Sequence, residues 1–274
     1  MKPEPELSLQ DVEDIVEVIH SNFGYDFKGY ARASLQRRML RVMDTLNIKT
    51  AGQLQDFLLG TDCAFNYFLE HITVNVTEMF RDPEFYKIIR STVIPILASY
   101  PIIKIWHAGC STGEEVFSMA ILLHEAGLLQ RSRIYGTDVN HVNIEKAKQG
   151  ILPLEVMKDY THNYMQSGGV HDFATYYSAR YKQVIIDKKL RSNLIFAQHN
   201  LVADQVFNEF QLIFCRNVLI YFNKELQNKV VKLFYDSLAP LGYLALGSKE
   251  TMHYTPVKHD FATVDKEKIY RRIK

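Results

Sequence analysis

Residues 107–115 read HAGCSTGEE, a turn with two glycines between an apolar run at 102–106 and an amphipathic run at 116–123. A strand, a glycine-containing turn and a helix in that order are typical of an open α/β sheet, in which ligands bind outside the carboxyl ends of the strands. Gly109 and Gly113 allow the backbone to pass close to a ligand. We therefore predict that this turn forms one wall of a ligand site.

The charge of this turn distinguishes between two classes of cofactor. Dinucleotides place their pyrophosphate on the free N–H groups of a helix N-terminus, but here Glu114 and Glu115 put two carboxylates at that position. Carboxylates repel phosphate and favour a cationic or hydroxyl-bearing ligand. S-adenosylmethionine has an amino group, a sulfonium and ribose hydroxyls, and no phosphate. The turn also lacks the G-x-G-x-x-G pattern of an NAD-linked oxidoreductase.

Composition excludes several classes of protein. The 274 residues suffice for one large domain and a small one. A net charge of +1 gives no global field for binding nucleic acid, and no apolar run approaches the ~20 residues that a membrane span needs. The charged residues 1–6 do not resemble a signal peptide. Because Cys63, Cys110 and Cys215 are widely spaced and form no C-x-x-C motif, we expect a reducing, cytoplasmic location and no metal site.

The apolar pattern divides the chain into two parts. Helical spacing predicts an N-terminal helical domain over 1–72, and a linker at 73–82 leads into a larger domain over 83–274. In the larger domain we predict strands at 102–106, 133–137, 193–197, 211–215 and 242–247, and helices at 113–126, 140–149 and 223–238. This alternation implies a mostly parallel sheet with helices on both faces. Two short strands at 261–264 and 268–272 would close it as an antiparallel hairpin, as in the class I methyltransferase fold and unlike the dinucleotide fold.

Four local signals refine this prediction. Asp82 is expected to cap the helix that begins with a proline, and Pro95 is expected to break or kink that helix. The Pro-Leu-Gly sequence at 240–242 is expected to end the last long helix. A helix at 154–160 and a small antiparallel β insertion at about 163–191 would occupy the long connection before the third strand of the sheet.

Three motifs together resemble one family. They read NVTEMFRD at 75–82, STGEE at 111–115 and CRNVLIYF at 215–222. The CheR chemotaxis receptor methyltransferases have similar signatures in the same order, although Met79 stands where phenylalanine is more usual. The resemblance covers roughly residues 8–255. It implies a class I fold with a seven-stranded sheet, and S-adenosylmethionine-dependent methylation of glutamate side chains in the cytoplasmic helical domain of a chemoreceptor, giving methyl esters and S-adenosylhomocysteine.

The resemblance also implies a set of cofactor-binding residues. Asp138 ends the second strand and would accept hydrogen bonds from both ribose hydroxyls; its alternative role is to cap the next helix, which Asn140 would fill instead. The adenine would lie beside Asn200 and Leu201. The alternative is that Asn200 is only a polar residue of the loop. The full predicted set is Asn75, Thr77, Arg81, Gly109, Gly113, Glu114, Asp138, Asn200, Leu201, Arg216 and Asn217.

The residues predicted to act on the acceptor are cationic or aromatic. Arg81 would hold the substrate glutamate by a bidentate hydrogen bond, or would clamp the two domains together. Tyr221 would point into the pocket, or would be a core aromatic residue. On the second helix, four arginines would contact an acidic receptor helix, or would form an ordinary solvated face: Arg32, Arg37, Arg38 and Arg41.

The expected chemistry needs few catalytic groups. A glutamate carboxylate, with a reference pKa of ~4.3, is already ionised at neutral pH and needs no general base. We therefore expect direct SN2 transfer that depends on in-line placement and exclusion of water. Three alternatives remain: an adaptor that binds the cofactor without catalysis in a signalling complex, a methyltransferase of small molecules or nucleic acids, and an NAD-linked oxidoreductase.

Overall fold

The computed structural model describes residues 5–73 and 76–274. Its N-terminal part contains four helices with a hydrophobic core of their own. The first helix begins with a capping box, in which Ser8 and Asp11 each accept a hydrogen bond from the other's backbone N–H. The apolar faces of all four helices meet in this core: α1 (Leu9–Phe23), α2 (Arg32–Thr45), α3 (Ala51–Gly60) and α4 (Asp62–Ile72).

The larger part is built on a seven-stranded sheet. Its strands are β1 (Ile103–Ala108), β2 (Ser132–Asp138), β6 (Leu194–Gln198), β7 (Phe210–Cys215), β8 (Leu238–Leu246), β9 (Phe261–Asp265) and β10 (Ile269–Arg272). Across the sheet they follow the order β6-β2-β1-β7-β8-β10-β9. Five strands are parallel, and β10 pairs antiparallel with both β8 and β9. This confirms the predicted parallel sheet with its closing hairpin.

Both faces of this sheet are buried, because successive side chains along its central strands enter different cores. Ile105 and Phe214 belong to one hydrophobic cluster, whereas Trp106 and Ile213 belong to the other. The helices that cover the two faces are α5 (Pro83–Ile88), α6 (Ile94–Leu97), α7 (Glu114–Glu125), α8 (His141–Gln149) and α11 (Lys224–Ser237). The central strands therefore read as nearly continuous apolar runs in the sequence.

A second, three-stranded antiparallel sheet lies in the connection between β2 and β6. Its strands are β3 (Ile151–Pro153), β4 (Tyr177–Arg180) and β5 (Gln183–Ile186), and its helices are α9 (Met157–Gln166) and α10 (Lys188–Arg191). Glu125 at the end of α7 anchors this region, since its carboxylate accepts hydrogen bonds from Tyr164 at 2.5 Å and Tyr176 at 2.8 Å and pairs with Arg90. The predicted antiparallel insertion is present, and its first strand precedes the predicted helix.

Three local predictions need correction. Asp82 occupies the N-cap position of α5, but its φ is +58° and its carboxylate binds Arg216 instead of the helix. Pro95 does not break the helix, because the chain around it stays helical through a π-helical turn at Ile89–Val93. The predicted alternative, a kink, stays a prediction. Residues 240–242 lie within β8 and do not end the helix. The pairing of β8 with β7 has a bulge at this place, which accommodates the proline and the positive φ of Leu241.

Among the helices of the described residues, none combines the length and the apolar character that crossing a bilayer would require. The predicted domain limits at 72 and 83 are consistent with the hydrophobic core that the four N-terminal helices share. These limits stay a proposal.

Candidate active site

A cavity of about 370 Å³ opens where β1, β2, β6 and β7 end, and the linker and α2 close its other side. Its volume lies within the range of small-molecule sites. Most of the residues that we predicted from the sequence line it: Arg38, Thr77, Arg81, Gly109, Asp138, Asn200, Leu201, Arg216, Asn217 and Tyr221. Asn75 lies outside the described residues.

The glycine turn forms the floor of this cavity. The N–H groups of Gly109 and Cys110 donate to the carbonyl of Thr137 at 2.8 and 2.9 Å, so the turn is tied to the end of β2. Gly109 has a φ of +77°, and a Cβ there would lie 2.4 Å from Cγ2 of Val218. The left-handed backbone and the close approach of the Val218 side chain therefore favour glycine at this position.

We expect Gly109→Ala to destabilise the protein. The left-handed backbone costs about 1–2 kcal/mol for a residue with a Cβ, and the clash with Val218 adds about 1–3 kcal/mol. Urea denaturation measures the loss, with Gly52→Ala as the control, because a Cβ at Gly52 meets nothing within 4 Å. An unchanged unfolding midpoint for Gly109→Ala would show that the turn can relax away from Val218.

Asp138 connects the turn to β2. Its two carboxylate oxygens accept from the N–H groups of Ser111 and Asn140, each at 2.9 Å. Asn140 caps α8 through a 2.9 Å hydrogen bond from Val142, as predicted, but this does not leave Asp138 free. The N–H of Val139 and the side-chain amide of Asn143 also contribute hydrogen bonds to this carboxylate, so a ligand hydroxyl would share it with protein donors. Burial raises the pKa of Asp138, and the backbone hydrogen bonds oppose that shift.

Gly113 and Glu114 lie beside the cavity and are not among the described residues that line it. A Cβ on Gly113 would lie 3.1 Å from Ala147 and Phe117, so this glycine serves helix packing. The carboxylate of Glu114 accepts from the hydroxyl of Thr112 at 2.9 and 2.7 Å. Burial raises the pKa of Glu114. The structure thus gives both residues local roles in the start of α7.

Glu115, which the sequence analysis did not assign to the site, lines the cavity and begins a chain of charged contacts centred on the buried Arg216. Its carboxylate contacts Nδ1 of His107 at 2.9 Å and Nη1 of Arg216 at 3.1 Å. Arg216 also donates to Asp82 at 2.6 Å, and its guanidinium lies 4.0 Å from the ring centroid of Phe85. Arg216 therefore joins the linker to the glycine turn.

The linker is held in an unusual backbone conformation. Phe80 and Asp82 both have positive φ values, of +54° and +58°. The N–H of Phe80 donates to Ser118 at 2.9 Å, and Arg216 donates to the carbonyl of Arg81 at 3.3 Å. The side chain of Arg81 lines the cavity, donates to the carbonyl of Val76 at 3.3 Å and forms no ion pair within the described residues. Its charge is therefore available to an acceptor.

Arg38 enters the cavity from α2. Its side chain is buried, with Cζ 4.3 Å from the ring centroid of Tyr221 and Nη1 2.6 Å from the carbonyl of Ile72. Burial lowers the pKa of Arg38 and raises that of Tyr221, which stays a neutral hydroxyl at physiological pH. The backbone of the turn that contains Tyr221 also contacts the start of α2, since the N–H of Ala31 donates to the carbonyl of Tyr221 at 2.8 Å.

The four arginines of α2 do not share one exposed face, and this corrects the sequence prediction. Arg32 pairs with Glu13 and donates to the carbonyl of Phe27, while Arg38 is buried in the cavity. Arg37 and Arg41 are exposed and form no ion pair within residues 5–73 and 76–274. These last two remain candidates for contact with an acidic partner.

The end of β6 forms the remaining wall. The side-chain oxygen of Asn200 accepts from the N–H of Val202 at 2.9 Å, so this residue shapes the loop, and its amide nitrogen is the group left for a ligand. His199, which the sequence analysis missed, lines the cavity and packs against Trp106 with ring centroids 5.3 Å apart. Burial lowers the pKa of His199.

Comparison with known proteins places this site in a family. Residues 75–269 match the family described as CheR methyltransferase, SAM binding domain, and residues 10–73 match CheR methyltransferase, all-alpha domain. The chain belongs to the CheR methyltransferase family. It is therefore a methyltransferase that uses S-adenosylmethionine, and the three sequence motifs at 75–82, 111–115 and 215–222 agree with this assignment.

Relatives match this CheR protein over nearly its whole length. The "Putative methyltransferase Cher3" of Pseudomonas putida is 45% identical over 263 residues, which cover 96% of each chain. The "Chemotaxis protein methyltransferase" of Listeria innocua is 28% identical and covers 90% of this chain and 92% of its own. The "Chemotaxis protein methyltransferase" of Escherichia coli is 27% identical, and the match covers 90% of this chain and 87% of the relative.

The residues of this CheR cavity fit S-adenosylmethionine. Four acidic residues line it, and two of them, Asp82 and Glu115, pair with Arg216. The carboxylates of Glu78 and Asp138 are left to suit the positive charge and the hydroxyls of the cofactor. The hydroxyl oxygen of Ser111 is buried at the same turn and has no hydrogen-bond partner within the described residues. A buried polar atom of this kind is normally satisfied, so it is suited to a bound ligand.

Proposed function

We propose that this protein transfers a methyl group from S-adenosylmethionine to glutamate side chains of chemoreceptors, giving glutamate methyl esters and S-adenosylhomocysteine. Family membership supports the cofactor, and the printed names of the Listeria innocua and Escherichia coli relatives support chemotaxis. One observation carries the choice of a carboxylate acceptor. The cavity that holds the acids also holds Arg38 and Arg81, and neither arginine forms an ion pair within the described residues.

The cofactor-binding residues are proposed on their position in the cavity and on the family motifs. Asp138 would bind the ribose hydroxyls, and Asn200 with Leu201 would hold the adenine. The other proposed contacts are Asn75, Thr77, Arg81, Gly109, Arg216 and Asn217, with Gly113 and Glu114 supporting the turn from behind. When bound, the cofactor supplies a methyl group made electrophilic by a positively charged sulfur.

The acceptor carboxylate would lie against Arg38, Arg81 and Tyr221. Both arginines can donate two parallel hydrogen bonds to a carboxylate, and the neutral hydroxyl of Tyr221 can donate a third. Since the carboxylate is already ionised, its oxygen forms the new O–C bond directly while the C–S bond breaks and its electron pair stays on sulfur. The protein's task is placement and exclusion of water, which can supply about 7–11 kcal/mol in ideal cases.

The acceptor would approach along α2. Arg37 and Arg41 are exposed one helical turn apart on this helix, and Arg38 extends from another side of it into the cavity. An acidic receptor helix lying on these two arginines would place a glutamate at the mouth of the cavity. We therefore propose the cytoplasmic helical domain of a chemoreceptor as the partner, with no contact to nucleic acid or insertion into the membrane.

We expect Arg38→Met and Arg81→Met each to lower kcat/KM for the acceptor by about 10–100-fold, because each removes hydrogen bonds to a charged group worth about 1.5–3 kcal/mol. Transfer of tritium from labelled S-adenosylmethionine to a receptor cytoplasmic fragment from the same organism measures this. Arg133→Met is the control, since Arg133 is exposed near the start of β2, at the opposite end of the sheet.

Two outcomes of that experiment would count against the proposal. Wild-type protein that binds the cofactor but transfers no label would favour a non-catalytic adaptor. If Arg38→Met and Arg81→Met retained the kinetics of Arg133→Met, the acceptor carboxylate would have to bind elsewhere.

A further inference from the structure

A single buried carboxylate organises the turn that follows β7. Glu250 is 4% exposed and lies shortly after β8. One of its oxygens, Oε1, accepts from the N–H groups of Val218 and Leu219 at 2.8 and 2.7 Å. The other, Oε2, accepts from Asn217 at 3.0 Å and from Gly247 at 2.6 Å. Four backbone donors from two separate segments thus converge on one side chain.

These four contacts replace an ion pair. Glu250 forms no salt bridge with any residue in the described part of the chain, so backbone N–H groups alone compensate its buried charge. A cluster of such donors is a strong site for an anion. Burial raises the pKa of Glu250 above its usual value, although the four hydrogen bonds oppose that shift. Because every contact is a donor, the ionised carboxylate is the form that fits.

The segments joined by Glu250 both line the cavity. The turn at 216–222 contributes Asn217 and Tyr221, and the two residues before Glu250 contribute Ser248 and Lys249. Asn217 has a φ of +63°, a left-handed conformation that asparagine tolerates better than most residues, and its N–H is fixed in that conformation by Glu250. The neighbouring Val218 packs directly on the glycine turn of β1, as the 2.4 Å approach to a Cβ at Gly109 shows.

We propose that Glu250 is a positioning residue for cofactor binding, whose carboxylate holds the turn after β7 against the glycine turn. Without this anchor, Asn217 would leave its left-handed conformation and the cavity wall would move away from the cofactor. The inference rests on the proposed site but not on the proposed acceptor, since cofactor affinity is measured with no acceptor present.

Glu250→Gln tests this sharply because glutamine has the same shape. An amide offers one oxygen and one NH₂ group, so in either orientation two of the four backbone N–H groups face a donor. The turn must then rearrange or leave two buried donors unsatisfied. We expect the dissociation constant of S-adenosylhomocysteine, measured by calorimetry, to rise at least about tenfold.

Glu125→Gln is the matched control. Its side chain is 7% exposed and accepts hydrogen bonds from three side chains, but it does not line the cavity. We expect both variants to lower the melting temperature, and only Glu250→Gln to weaken the binding of S-adenosylhomocysteine. Equal affinity in Glu250→Gln and wild type, or an equal loss in both variants, would overturn the proposal.

A second variant approaches the same contact from its other side. A Cβ on Gly247 would lie 2.8 Å from Oε2 of Glu250 and 2.9 Å from the nitrogen of Asn217. Gly247→Ala should therefore weaken the binding of S-adenosylhomocysteine to a similar degree. If Glu250→Gln does not fold, the affinity of Gly247→Ala tests the proposal in its place. If neither variant folds, Glu250 serves global folding and the proposal is wrong. Failure of the wild type to methylate a receptor would leave this test unaffected.

Discussion

Asp138→Ala is expected to weaken S-adenosylhomocysteine binding by about 100- to 10,000-fold. The proposed ribose contact consists of two hydrogen bonds to a charged carboxylate, each worth about 1.5–3 kcal/mol. The same change removes the acceptor for the N–H groups of Ser111 and Asn140, so the glycine turn loses its anchor to β2. Calorimetric titration with S-adenosylhomocysteine measures the loss.

The control for this prediction is another aspartate that accepts a backbone hydrogen bond. Asp187 caps α10 with a 2.7 Å hydrogen bond from Lys189 and does not line the cavity. Asp187→Ala should lower stability slightly and leave the affinity unchanged. Binding by Asp138→Ala within a factor of about three of the wild type would place the ribose elsewhere, because even one charged hydrogen bond is worth more than that.

Arg216→Met is expected to lower the free energy of unfolding by about 3–5 kcal/mol, the usual cost of breaking a buried ion pair. The pair with Glu115 accounts for this cost, since the side chain of Asp82 is 42% exposed and its pair adds little. Glu115 and Asp82 would lose their common partner. Burial acts to raise the pKa of Glu115, but His107 and Arg216 outweigh it and hold that pKa below its usual value. This carboxylate therefore stabilises the fold above its unfolded-state pKa and loses that contribution as the pH falls.

Urea denaturation at several pH values tests both parts of this prediction. The wild type should lose stability in acid more steeply than Arg216→Met, in which Glu115 no longer has its cation. The double variant Arg216→Met with Glu115→Leu should recover part of the loss, since no buried charge then stays unpaired on that side. A loss below about 1 kcal/mol in the single variant would mean that water reaches the cluster.

The fold was predictable because its signals are local and repeated. Apolar runs buried on both faces identify the central strands, and the glycine turn at 109–113 identifies where β1 gives way to a helix. The prediction at 240–242 was wrong because proline and glycine usually end an element. Here β8 continues through both residues, since a bulge in its pairing with β7 accommodates them.

The site was predictable only where a motif fixed the residues. The burial of Arg38 did have a signal, because it lies three residues after Leu35 and four before Val42 and so shares their buried stripe on α2. We grouped it with its exposed neighbours by charge alone. Glu115 and Glu114 are adjacent acids in one motif, and only tertiary contacts show that Glu115 is the one that joins Arg216.

The position of the transferred methyl group tests the central claim most directly. A receptor cytoplasmic fragment incubated with the protein and S-adenosylmethionine should carry base-labile methyl groups, which peptide mass spectrometry should locate on glutamate side chains. Arg81→Met should modify the same peptides about 10–100 times more slowly. Base-stable methyl groups, or groups on lysine, arginine or a small molecule, would contradict a cavity built for a carboxylate acceptor.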